Sequence, residues 1–204
     1  MTQSIENKIV SRIYGKKRGW VFTPNHFLDL GRRTAVAQSL VRLARSGTVR
    51  RLARGVYDYP KGHPDFGALP PDYERVAQAL AGRDNLRIQP SGAYAANLLS
   101  LTEQVPAKIV FLTDGSNRKV QIGKRKIVLK RTTPKNMATA GKSSGLVIQA
   151  LRYLGKNHVD ATMIEKLKNG FSEKDKKQFA NDIRYAPVWI GDIFRLLSRQ
   201  GQHG

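Results

Sequence analysis

The chain has 204 residues, 40% of them apolar, no cysteine, and 36 Lys and Arg against 15 Asp and Glu, for a net charge of +21. This length and apolar content suit one or two domains with a buried core and exclude a disordered tail; the lack of cysteine excludes disulfides and thiolate metal sites and suits a reducing cytoplasm. A charge excess of this size favours a polyanionic partner, nucleic acid first and an anionic membrane surface second.

In chain order, the start MTQSIENKIVSRIYGKK lacks the apolar run of a signal peptide, and no later window approaches the roughly 20 apolar residues of a membrane span. A cytoplasmic protein without membrane contact is expected. Ile5, Ile9 and Ile13 repeat every four residues, which predicts an amphipathic helix capped by Ser4 and ended by Gly15 and the run KKRG. Val21 and Phe22 read as a short strand. Thr23-Pro24 opens a short helix whose apolar face is Phe27, Leu28 and Leu30, stopped by Gly31. A third helix is predicted over about 34–45. Val36, Leu40 and Leu43 share one face of it, and Thr34, Gln38, Val41, Arg42 and Arg45 the other. Gly47 closes it. The stretch SGTVRRLARGVYDYP, 46–60, then reads as a β-hairpin. It carries Arg50, Arg51 and Arg54 with no acidic residue before Asp58, so these arginines are expected to be unpaired.

Residues 60–71, PKGHPDFGALPP, hold four prolines and two glycines and read as a linker. This divides the chain into an N-terminal domain, 1–66, and a C-terminal domain, 67–204. In the latter, helices are predicted at 72–82, 93–101, 144–156, 161–168, 173–184 and 188–199, and strands at 86–89, 107–112, 119–122 and 126–131. Ser172 and Asp175 have the spacing of a capping box, and Pro187 opens the last helix. The fold class is therefore α+β: helix, strand, helix, turn, helix and hairpin, which is the winged helix-turn-helix order, followed by a mixed α/β domain with a small sheet and a helical C-terminus.

Charge is distributed in blocks. The net is +9 over 1–66, −1 over 67–116, +9 over 117–142 and +4 over 143–204. In a winged helix the last helix enters the major groove, and the hairpin lies beside it where arginines meet phosphates or the minor groove. Gln38, Arg42 and Arg45 are the candidate base readers, since Gln suits adenine and Arg suits guanine. Arg32, Arg33 and Thr34 at the helix start suit phosphate, as do Lys16, Lys17, Arg18, Arg50, Arg51 and Arg54. The second block, with Arg118, Lys119, Lys124, Arg125, Lys126, Lys130 and Arg131, is a second DNA contact, a docking face for an acidic partner, or a sheet edge protected by charge.

Catalysis finds no support in the sequence, and no cofactor or metal is expected. His26, His63, His158 and His203 are scattered along the chain. AGKSSG, 140–145, resembles the end of a phosphate loop, but the pattern needs glycine at position 136, where Asn136 stands. Gly141 to Ser144 reads as a turn and helix cap.

The run FTPNHFLDLGRRTAVAQSLVRLARSGTVRRLARGVYDYP resembles the N-terminal winged helix of AbiEi-type antitoxins. These are regulatory partners of nucleotidyltransferase-like toxins in bacterial type IV toxin–antitoxin systems. The similarity extends through IQPSGAYAANLLSL and KIVFLTDG to RYAPVWIGDIFRLL. The resemblance implies a transcriptional repressor that binds double-stranded DNA at its own promoter through residues 32–57. It also implies a C-terminal domain that counters a cognate toxin functionally, without a stable complex between the two. The alternative is an RNA-binding or ribosome-associated basic protein. RNA recognition favours exposed aromatics for stacking, whereas the aromatics here, 8% of residues, fall mostly at apolar positions.

Overall fold

The computed structural model describes residues 4–82 and 86–198 of an α+β protein. Its packing groups the chain into two units, Met1–Leu86 with Arg118–Ile127, and Arg87–Asn117 with Val128–Gly204. The boundary read from sequence, at 66/67, falls inside the first of these. The helix beyond the proline-rich segment packs on the strands before it.

In the first unit, α1 (Ile5–Gly15) starts at Ser4, whose hydroxyl accepts the Asn7 N–H at 3.2 Å, and it buries Ile9 and Ile13 completely. After β1 (Val21–Phe22), Pro24–Phe27 makes one 3-10 turn instead of the helix expected up to Gly31. The tighter i to i+3 pattern continues into Leu30, whose N–H donates to the Phe27 carbonyl at 2.9 Å. Phe27 is fully buried and Leu30 packs against the core, but Leu28 is exposed. Gly31 lies close under Ile5: a Cβ there would lie 2.7 Å from Ile5 Cδ1, so the end of that side chain would have to shift.

The next helix, α2 (Arg33–Arg45), buries Val36, Ser39, Leu40 and Leu43. It leads to β2 (Arg50–Ala53) and β3 (Val56–Asp58), joined by a turn in which Gly55 takes φ 72°. The sheet order is β1-β3-β2, all antiparallel. Its inner residues Phe22 and Tyr57, with Val49 just before β2, join Ile9, Ile13, Phe27, Val36, Leu40 and Leu43 in one core. The proline-rich segment is less irregular than expected, since β4 (Gly62–His63) and β5 (Gly67–Ala68) form a small antiparallel pair. Asp72 caps α3 (Tyr73–Ala81) by accepting the Glu74 and Arg75 N–H groups.

The second unit contains β6 (Ile88–Ser91), two residues later than expected, then α4 (Ala93–Leu98) and β7 (Lys108–Thr113). In its sheet β7 lies between β6 and β9 (Arg125–Arg131). β9 follows β8 (Arg118–Ile122), its hairpin partner, and β8 with the start of β9 belongs to the first unit. A short α5 (Pro134–Met137), not expected from sequence, precedes α6 (Ser143–Leu154), α7 (Ala161–Gly170), α8 (Glu173–Asp182) and α9 (Val188–Ser198). Residue 199, read as the end of the last helix, lies outside the described residues, as does His203. Ala95, Ala96, Val147, Leu151, Phe179, Ile190 and Phe194 are completely buried in this unit's core. The Ser172–Asp175 capping box is present.

Candidate nucleic-acid interface

The two faces of α2 fall as its periodicity requires. Thr34, Gln38, Arg42 and Arg45 are exposed and Val41 is half-buried, opposite the buried Val36, Leu40 and Leu43. The helix begins without the usual acceptor. Its N-cap residue is Arg32, which makes no capping hydrogen bond, and no acidic residue lies in the first turn. The first-turn N–H groups, the positive end of the helix dipole and the exposed Arg32 and Arg33 therefore coincide.

Arg50 is not an unpaired arginine. Register places it directly opposite Asp58, and its Nε and Nη2 donate to the two carboxylate oxygens at 3.0 and 2.6 Å. Asp58 is 1% exposed, so the pair is an internal clamp between β2 and β3. Its physical reason is the hairpin itself: a turn at 54–55 brings a residue eight positions on back beside Arg50. Arg51, the next residue, points to the other face and is exposed with no ion pair among the described residues.

Arg42 is engaged as well. Its Nε and Nη2 lie 2.8 and 2.7 Å from Glu6 Oε2, and Nη2 also donates to Ser39 Oγ at 3.1 Å. As a base reader it is tethered to α1. Arg18 donates to the Pro60 carbonyl at 3.0 Å and its guanidinium stacks 4.7 Å from the Tyr59 ring centroid. Arg125 lies 5.0 Å over the Tyr73 ring. These partners, Glu6, Asp58, Tyr59 and Tyr73, were missed in the sequence because they are tertiary neighbours; Asp58 alone had a local signal, the symmetry of the hairpin.

What stays open is a smaller set than the sequence suggested. Lys16, Lys17, Arg32, Arg33, Arg45, Arg51 and Arg54 are exposed and without an ion pair among the described residues. So are Arg118, Lys119, Lys124 and Lys126, and in the second unit Lys130 and Arg131; the Arg131 backbone N–H donates to Asn117 Oδ1 at 2.7 Å. The first unit also brings the 118–127 part of the second basic block to the first, because β8 packs against β2.

The stretch AGKSSG is closed by carboxylates. Lys142 Nζ lies 3.3 Å from Asp182 Oδ1, Ser144 Oγ donates to Asp182 Oδ2 at 2.5 Å, and Ser143 Oγ donates to Asp175. The Ser143 and Ser172 hydroxyls hold the Asp175 carboxyl below the usual carboxylate range. The side-chain donors of Lys142, Ser143 and Ser144 are thus engaged by carboxylates of α8.

The profile of DUF6088, described as a family of unknown function, matches residues 8–179, which takes in most of α1, the whole of α2 and the hairpin, and most of the second unit. The chain belongs to the DUF6088 family. Comparison with curated proteins gives no match. Among solved structures, the crystal structure of the RV2827C protein from Mycobacterium tuberculosis matches 98% of this chain and 83% of that chain, at 14% identity and a TM-score of 0.44. No helix among the described residues is long and apolar enough to cross a membrane.

Proposed function

We propose that this DUF6088 protein is a sequence-specific double-stranded-DNA-binding repressor of its own promoter, with its first unit acting as a winged helix. The observation that carries the reading is the exposed α2 face with its uncapped, arginine-flanked start. An antiparallel sheet in the order β1-β3-β2 that shares one core with that helix supports reading the β2–β3 hairpin as a wing. Gln38 and Arg45 read bases, with Arg42 held beside them by Glu6. Arg32, Arg33 and Thr34 take phosphate at the helix start, and Arg51 and Arg54 take it from the hairpin. Arg118, Lys119, Lys124 and Lys126 lengthen the phosphate contact through β8 and its turn. Arg50 supports the hairpin and does not touch DNA.

Footprinting of the full chain on its own upstream region tests the reading. Discrete protected sites, resisting excess random duplex and structured RNA, are expected. Uniform protection of any duplex, or displacement by RNA, would contradict it.

The antitoxin role rests on the resemblance of the sequence alone. Co-expression with a neighbouring nucleotidyltransferase-like toxin tests it: rescue of growth is expected, with no complex between the two proteins on gel filtration.

A further inference from the structure

The outward face of α2 is not wholly polar. Val41 lies in its middle, between Gln38 and Arg45, and Ala37 and Ala44 extend the apolar strip at helical spacing. A β-branched apolar residue is a poor helix former, and Val41, unlike Ala44, is not among the residues packed against the core of this unit. The strip forms the floor of two adjoining depressions. One, of about 430 Å³, is lined by Ala37, Gln38, Val41, Arg42 and Arg45. The other, of about 280 Å³, is lined by Val41, Ala44, Arg45 and Arg51 of β2. An apolar floor walled by guanidinium groups suits a ligand that presents one small apolar group within a polyanion. The major groove of a duplex offers such a group, the C5-methyl of thymine, and 5-methylcytosine carries the same one.

We propose that the Ala37–Val41–Ala44 strip reads the C5-methyl group of a pyrimidine in the bound site. This rests on the DNA-binding reading above and adds the group that the helix selects. Contact between the methyl and Val41 removes apolar surface from water, which corresponds to about a three- to tenfold preference for the methylated base. Gln38 and Arg45 flank the strip, so the methyl belongs to a step next to the bases they bond.

The test uses the full chain to select duplexes from two random libraries, one with ordinary cytosine and one with every cytosine 5-methylated. Selected duplexes are remade one position at a time, with deoxyuridine for thymidine or cytosine for 5-methylcytosine. Loss of one methyl per bound copy is expected to weaken wild-type binding about three- to tenfold. Val41→Ala is expected to bind both forms equally, and Val41→Ile to keep the preference. Thymine as the source yields the site from both libraries; 5-methylcytosine yields it from the second alone. An enriched duplex indifferent to every demethylation overturns this inference and leaves the DNA-binding reading standing, whereas no enrichment overturns both. Val41→Ala retaining the wild-type penalty while changing the oligomeric state assigns the strip to a second copy of the chain and also overturns it.

Discussion

Two helices of this chain begin among basic and hydroxyl residues, and their chemistry is opposite. The α2 start, Arg32-Arg33-Thr34, faces solvent with no acidic residue in its first turn. The α6 start, Lys142-Ser143-Ser144, has its ammonium and both hydroxyls bonded to Asp175 and Asp182, and Ser144 is fully buried. In sequence both resemble anion sites. The difference lies in α8, which brings two carboxylates to one start, while nothing among the described residues does so at the other. A cationic cluster is available to a ligand only where the fold has not already supplied its counter-charge. The same lesson holds between neighbours in the hairpin, where Arg50 is clamped to Asp58 and Arg51 is open.

That contrast can be broken in order of effect. Asp182→Ala strips the buried acceptor from Lys142, Ser144 and Gln178 and is expected to destabilise the second unit by about 3 kcal/mol, read by calorimetry as a lower melting temperature. Asp58→Ala is expected to cost about 2 kcal/mol by the same measurement, since it leaves Arg50 without its bidentate partner. Arg51→Ala should leave stability within about 0.5 kcal/mol and weaken all duplexes alike. If Arg50→Ala and Arg51→Ala prove interchangeable in both assays, the division between them is wrong.

Gln38→Ala sharpens the comparison on the binding side. It should lower discrimination at one base pair by about 1–3 kcal/mol, measured as the ratio of specific to random duplex affinity, with the melting temperature unchanged. The smallest effect is that of pH. Asp175 has its carboxyl pKa lowered by Ser143 and Ser172, so its contribution is fully present above the unfolded value of about 3.9 and is lost as pH falls through the folded value. Acid titration of Asp175→Asn should accordingly show less loss of stability below about pH 4 than the wild type.

Local signals carried much of this structure. The four-residue spacing of Ile5, Ile9 and Ile13, the two faces of α2 and the capping box at Ser172 and Asp175 each depend on residues within one or two turns, and each is observed. The short pair β4–β5 left no trace because two residues per strand show no alternation. The site was half legible. Its exposed residues follow from helical period, but Glu6 is 36 residues from Arg42, and Arg125 meets Tyr73 only through a long-range approach. Periodicity says which way a side chain faces and nothing about what stands opposite.

The central claim is that the open cations of α2 and the hairpin face the phosphates of a duplex. Its most direct test is the salt dependence of affinity for the footprinted site, by fluorescence anisotropy, for the wild type and for Arg33→Ala/Arg51→Ala. The account expects the slope of log affinity against log salt to become shallower by about two in the double variant, close to 0.9 per lost phosphate contact. An unchanged slope, with affinity intact, would contradict it.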